Sequence, residues 1–166
     1  QRPGEIRQLK KSHYDRENHC LKFIASKTKQ DHIVPLSSQA IELLDSIINL
    51  HSDNEYIFVG REGKGFISEN TMNKALERIG FAGKHTVHGS RATARTLLAE
   101  IFKQPAEHIE HQLAHRIKDP NGTAYNRTQF LDDRREMMQK WADYLYDLLN
   151  DRKIETTLFQ KYLSLS

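Results

Sequence analysis

One stretch of this sequence, His19 to Leu36, alternates in the manner of β-structure, and most of the chain beyond it repeats with a helical period. That contrast limits the fold more than any other feature, because a lone hairpin cannot bury itself and must be covered by the helices. From His19 to Ala25 β-forming residues alternate. Ser26 to Asp31 is polar, and His32-Ile33-Val34-Pro35-Leu36 is apolar again, so the stretch predicts an antiparallel hairpin ending at Pro35.

Around it the helical signals are continuous. Glu5 to Lys11 reads as the end of a helix whose beginning lies outside the chain. Ser37 or Ser38 is placed to cap a helix with Ile41, Leu44, Ile47 and Ile48 on one face. Tyr56 to Val59 reads as a short strand or extended piece, and Gly60 to Gly65 as a turn-rich loop. Ser68 or Asn70 caps a further helix that Gly80 closes, and Ser90 to Phe102 is helical with Ala94, Leu97, Leu98 and Ile101 inward. Pro105 opens a short helix running to about Ala114, and Asp119-Pro120-Asn121-Gly122 is a turn. A long amphipathic helix is expected from about Thr128 to Asn150, with Leu131, Met138, Trp141, Ala142, Leu145, Leu148 and Leu149 in the core. The fold class is therefore α+β and mostly helical, with one small antiparallel sheet packed on the helices.

Composition narrows the setting. A chain of 166 residues holds one good-sized core, and 37% hydrophobic against 28% charged residues, with apolar runs of only a few residues, gives no membrane span. Cys20 is the single cysteine and reads as a small packed side chain, so a reducing, cytoplasmic setting is expected. The net charge is only +3, yet Arg7, Lys10, Lys11, Arg16, Lys22, Lys27 and Lys29 crowd the first segment while acidic residues crowd the last helix. That asymmetry permits a nucleic-acid face, although a basic stretch is more often a solvated surface.

The chemistry-bearing residues are grouped more tightly. His88 is read as preceding a helix with Arg91 in its first turn, where free backbone N–H groups favour an anion and a guanidinium fork matches two phosphate oxygens. Alone, such a pair is as readily a capping His and a surface Arg. Tyr125, in Ala124-Tyr125-Asn126-Arg127, changes that weighing. A phenol with a pKa near 10 is about one part in a thousand ionised at neutral pH, so a nucleophilic Tyr needs neighbouring cations or a base, which Arg91 and the imidazoles of His88 and His115 would supply. Tyr144 and Tyr146 sit inside the long helix and read as packing residues.

Taken together, Arg2-Pro3-Gly4-Glu5, Ser26-Lys27-Thr28, His32-Ile33-Val34-Pro35-Leu36-Ser37, His88-Gly89-Ser90-Arg91, Leu113-Ala114-His115 and Tyr125 resemble the tyrosine recombinases, most closely the phage and genomic-island integrases. The resemblance runs from near the first active-site Arg of the catalytic domain to beyond its nucleophile. It implies that Arg2 and Arg91 clamp the scissile phosphate, Lys27 protonates the departing 5′ oxygen, His88 assists proton transfer, and His115 hydrogen-bonds the phosphate. Tyr125 would form a 3′-phosphotyrosyl link. Lys29 competes with Lys27 for the acid role, and the Ser-Lys-Thr context favours Lys27.

The same resemblance implies no metal and no cofactor, double-stranded DNA with att or core-type sites as partner, a homo-tetramer on DNA and a monomer without it. Residues 1–150 would be the catalytic domain, truncated at its start and lacking the DNA-clamping domain. Residues 151–166, with Leu158, Phe159, Tyr162 and Leu163, would be a tail that docks between protomers or folds back on its own domain. Two departures stand out, Ala114 in place of the usual Gly and Lys11 where a Trp is common. Two readings from other classes remain: a DNA-binding or assembly module without catalysis, and a metal enzyme using His108, His111 and His115 at i, i+3, i+7 spacing.

Overall fold

The structure is a computed structural model that describes residues 1–115 and 130–150. Its first helix, α1 (Pro3–Arg7), begins inside the chain, contrary to expectation. Pro3 supplies a preset φ at the first helical position, and the Glu5 carboxylate accepts the Arg2 backbone N–H at 2.9 Å, which caps the helix. The helix also stops sooner than the sequence suggests: Lys11–His13 forms a separate 3₁₀ turn.

The expected hairpin is present. Strands β2 (Cys20–Ile24) and β3 (Asp31–Pro35) pair antiparallel, Cys20 opposite Pro35 and Ile24 opposite Asp31. A two-residue strand, β1 (Tyr14–Asp15), adds to the other side of β2 and gives the order β1-β2-β3. It is too short to show periodicity. Tyr56 to Val59 forms no further strand but touches the rest through the isolated bridges Lys10–Tyr56 and Val59–Phe66, which leave Ile57 wholly buried. Ile57 joins Leu9, Leu21, Val34 and Leu44 in one core, Leu44 coming from α2 (Ser38–Leu50), which Ser37 caps.

A second core forms from helices alone. After α3 (Thr71–Leu76) the chain widens into a π-type turn that Gly80 closes at φ +93°, a conformation only glycine adopts freely. Helix α4 (Val87–Glu100) starts three residues before the expected Ser90, because the Thr86 hydroxyl accepts the Gly89 N–H at 3.0 Å. Leu98 of α4, Ile109 and Leu113 in and just after α5 (Ala106–Gln112), and Met137 of α6 (Leu131–Leu149) are buried together.

Helix α6 departs from its sequence reading in which face it buries. Met137 and Arg134 are its buried residues, whereas Leu145 and Leu148 are nearly half exposed and Leu149 is 82% exposed. The reason lies in its neighbours. Phe102 packs edge-on against Trp141 and Tyr144, and Ser38 and Gln39 of α2 bond Gln139 and Asp143, so these partners meet the part of the helix that precedes Leu145. An amphipathic pattern shows which face can be buried, not how far the covering elements reach.

The two cores are joined by a buried polar bridge. Arg134, 1% exposed, donates from Nε to Gln112 Oε1 at 2.9 Å and from Nη2 to the Ile33 carbonyl at 2.7 Å, tying α6 to α5 and to β3. His32 lies beside it, buried, and has an edge contact with Phe23. Desolvation first, then the Arg134 charge, pushes the His32 pKa down to about 4, against the weaker opposite pulls of Glu5 and of a bond to the Gln112 backbone. The imidazole is thus neutral in the folded protein and charges more readily once unfolded. His32 therefore contributes nothing unfavourable above its ordinary pKa and destabilises as pH falls from about 6.5 towards 4, by about 3 kcal/mol over the window. Denaturant unfolding at pH 7 and pH 4.5 should show that loss in the wild type. His32→Leu should show a clearly smaller pH dependence, and equal dependence in both proteins would contradict the assignment.

Candidate active site

The hairpin and the two ends of α5 and α1 converge on one cleft. Arg2, Lys27, Thr28, Glu110 and His115 line a volume of about 590 Å³ where elements of the two cores meet. Lys27 stands on the loop between β2 and β3, a loop closed by bonds from Lys29 N to Ala25 O at 2.8 Å and from Ala25 N to Gln30 O at 2.9 Å. The closure puts Lys29 at φ +57°. Lys29 does not line the cleft, and Lys27 does.

Glu5 fixes this loop against the first Arg. Its Oε1 accepts from Arg2 Nη1 at 3.2 Å and from the Ser26 N–H and hydroxyl at 3.0 and 2.8 Å. Burial alone would raise the Glu5 pKa, but the Arg2 N–H and the Ser26 bonds prevail and lower it, so Glu5 stays a carboxylate. Arg2 is accordingly held in place by a buried anion one turn away.

Arg91 reaches the cleft from α4. Its Nη2 donates to the Leu113 carbonyl at 3.0 Å and lies 3.3 Å from His115 Nε2, while its Nη1 is buried without a partner among the described residues. Desolvation first, then the nearby charge of Arg2, lowers the Arg91 pKa. Two guanidinium groups close enough to disfavour each other, with a buried donor among the described residues, make a site suited to an anion.

His115 owes its position to the end of α5. The His115 N–H bonds the Glu110 carbonyl at 3.0 Å and the Ala114 N–H bonds the His111 carbonyl at 3.1 Å, the paired bonds of a Schellman turn with Ala114 at its left-handed residue, φ +51°. Glycine is the residue that accepts this backbone without strain, so Ala114→Gly should raise stability by about 0.5–1 kcal/mol or lose nothing once unfolded-chain entropy is counted. Chemical denaturation of the two proteins measures it, and a loss above about 1 kcal/mol would show that the Ala114 methyl packs favourably. The Glu110 side chain then meets His115 Nδ1 in a short hydrogen bond and Arg95 Nε at 2.8 Å.

The remaining sequence candidates separate. His88 is the second residue of α4, not one preceding it, and Arg91 is the fifth; His88 is exposed one turn before Arg91 and makes no hydrogen bond among the described residues. Tyr125 lies outside the described residues. The three imidazoles weighed as a metal site do not converge: His108 and His111 pack on the Phe130 ring, centroids at 4.8 and 5.4 Å, while the turn at Ala114 carries His115 to Glu110 and Arg91. No cluster of three or more His, Cys, Asp or Glu among the described residues is placed to hold a metal ion. Nor is any described helix long and apolar enough to cross a membrane. Much of the basic first segment is also neutralised locally, since Lys10, Arg16 and Lys22 pair with Glu55, Asp45 and Asp15.

Sequence reasoning gives no role to Glu5, Glu110 or Arg134. Glu5 has a legible signal, standing three residues after a cap and next to Pro-Gly. Glu110 and Arg134 have none, because their partners are set by the Schellman turn and by the packing of α6.

A helical layer against a hairpin, with cations from the start of α1, the β2–β3 loop, α4 and the end of α5 on one cleft, defines the tyrosine recombinase type of fold. The crystal structure of XerA recombinase shares it, with a TM-score of 0.56 at 21% identity over 84% of this chain and 51% of that one. The chain belongs to the phage integrase family, whose model matches residues 1–130. The integrase of Shigella phage Sf6 is 38% identical over 148 residues, 87% of this chain and 38% of its own length. The integrase of Enterobacteria phage P4 is 41% identical over 145 residues, 83% of this chain and 33% of its own length. Prophage integrase IntS of Escherichia coli K12 is 37% identical over 158 residues, 93% of this chain. The chain spans about two fifths of the length of IntS, 40%.

Proposed function

We propose that this chain carries the catalytic centre of a site-specific DNA recombinase that cuts and rejoins strands through a protein–DNA phosphodiester. The observation that carries the reading is the buried, unpartnered Nη1 of Arg91 beside Arg2, Lys27 and His115 on one cleft. Arg2 and Arg91 hold the nonbridging oxygens of the scissile phosphate as charge grows on them. Such preorganised donors act most strongly on the transition state. The Tyr125 oxygen attacks phosphorus, its proton leaving with help from His88, and the bond to the 5′ oxygen breaks as Lys27 protonates that oxygen. A 3′-phosphotyrosyl link and a free 5′ hydroxyl result, and attack by a 5′ hydroxyl from a partner strand reverses the step. His115 donates to the phosphate.

The cations supply the charge that magnesium supplies at many phosphoryl-transfer sites. The place of Lys27 on the cleft supports it over Lys29 as the acid. The partner is double-stranded DNA with core-type sites, bound by a tetramer. We assign residues 1–150 to the catalytic domain and 151–166 to a docking tail, a reading supported by the exposed Leu148 and Leu149 that lead into it. The test is incubation with nicked suicide DNA containing a core site, followed by a denaturing gel and peptide mapping. A covalent adduct on the Tyr125 peptide is the expected result. No adduct from the wild type, or attachment at another residue, would overturn the proposal.

A further inference from the structure

Among the described residues Glu110 is the one acidic side chain lining the cleft, and the chemistry above gives it no role. A carboxylate facing a phosphate repels it unless its charge is already engaged. Here it is engaged twice, Oε1 by Arg95 Nε and Nη2 at 2.8 Å each and Oε2 by His115 Nδ1. The other imidazole nitrogen fixes the tautomer. His115 Nε2 lies 3.3 Å from Arg91 Nη2, and a guanidinium only donates, so Nε2 accepts and the ring hydrogen resides on Nδ1, donated to Glu110.

We propose that Glu110 is a positioning residue for His115, fixing the ring with Nδ1–H on the carboxylate and Nε2 on the cleft. When a phosphate oxygen takes up the Arg91 donor, Nε2 is released and takes a proton from solvent water, and the Glu110 charge holds the resulting imidazolium, which donates that proton in a hydrogen bond to the oxygen. The inference rests on the recombinase reading of the cleft. It also accounts for the fork of Arg95 from α4, which orients the carboxylate without touching the imidazole. The charged groups facing Glu110 are His115 itself, Arg95 and Arg91 from α4, and Arg2 and Lys27 across the cleft. Burial would raise the Glu110 pKa, but the bonds from His115 and Arg95 win and lower it, so the carboxylate is ionised at neutral pH.

Two variants and two readouts test this. Glu110→Ala removes acceptor and charge and should slow single-turnover cleavage of suicide DNA roughly ten- to hundredfold, the usual cost of losing a group that orients a functional His, with DNA affinity nearly unchanged. Glu110→Gln keeps an acceptor for Nδ1–H but not the charge, and its rate should fall between those of the wild type and Glu110→Ala. An unchanged rate in Glu110→Ala, or no recovery in Glu110→Gln, would overturn the proposal. Failure of the recombinase reading is recognised separately, by absence of any adduct from the wild type. In that event ¹⁵N NMR of His115 in the full chain still decides: the Nδ1–H form in the wild type and its loss in Glu110→Ala support the positioning role, and the same tautomer distribution in both overturns it.

Discussion

Arg91→Ala is expected to slow DNA cleavage by about a hundred- to thousandfold while leaving the fold and most of the DNA affinity intact. Each part of that split has its origin in a different bond. In the folded protein Arg91 contributes one hydrogen bond to the Leu113 carbonyl and a long contact to His115 Nε2, so its loss costs about 1 kcal/mol of stability. In DNA binding, on the proposed reading, it would be one phosphate contact among several, and removing it should reduce the slope of log affinity against log salt by only about 1. In the proposed transition state it would be a buried fork, already oriented by the Leu113 carbonyl, with Nη1 bonding the oxygen on which charge develops. Orientation before the reaction is what makes such a donor worth more there than in the ground state. Arg91→Lys should recover little, since an ammonium cannot bond the Leu113 carbonyl and two phosphate oxygens in one plane. Quench-flow cleavage of suicide DNA with parallel binding isotherms would measure the split. Equal losses in rate and affinity would show that Arg91 only binds.

How far the sequence speaks for the fold can be judged at particular residues. The β2–β3 hairpin and the Ser37 cap are legible because their signals are local: alternation, a polar break and a hydroxyl at the right offset. The start of α4 is not, because the cap that opens it is the Thr86 hydroxyl, three residues before Gly89. In the structure Gly89 lies inside the first turn, where a Cβ would approach His85 Cε1 and Thr86 Oγ1 to 3.3 Å. The inner face of α6 misleads for a different reason: Arg134 looks like a surface charge and Leu149 like core. Periodicity ranks side chains by polarity, whereas burial depends on what lies across from them, and a polar bridge between two cores overrides the ranking. That Arg2, Lys27, Arg91 and His115 come together is legible through type, order and spacing. The carboxylates that hold them are less so, since Glu110 meets His115 only because Ala114 turns the chain back.

The bridge itself sets the largest expected effect on stability. Arg134→Ala should destabilise the protein by about 3–5 kcal/mol, because it opens a void and strands two buried acceptors, Gln112 Oε1 and the Ile33 carbonyl. Arg134→Met separates the two contributions. The thioether fills most of the space but cannot donate, so the loss should fall to about 2–3 kcal/mol, mainly the cost of the stranded acceptors. Burial lowers the Arg134 pKa to about 10, and the group is still charged at neutral pH, so removing it also changes what its neighbour feels. The charge of Arg134 is the second cause, after desolvation, of the low His32 pKa. In Arg134→Met the His32 pKa should therefore rise towards its ordinary value, and the acid-induced loss of stability should shrink. The variant is thus expected to be less stable at pH 7 yet less sensitive to acid, a pair of outcomes that a simple packing defect does not produce. Denaturant midpoints from pH 4.5 to pH 7 for wild type, Arg134→Met and His32→Leu test it. If the Met variant kept the full wild-type pH dependence, desolvation alone would set the His32 pKa, and the bridge would join the two cores through hydrogen bonds without electrostatic coupling.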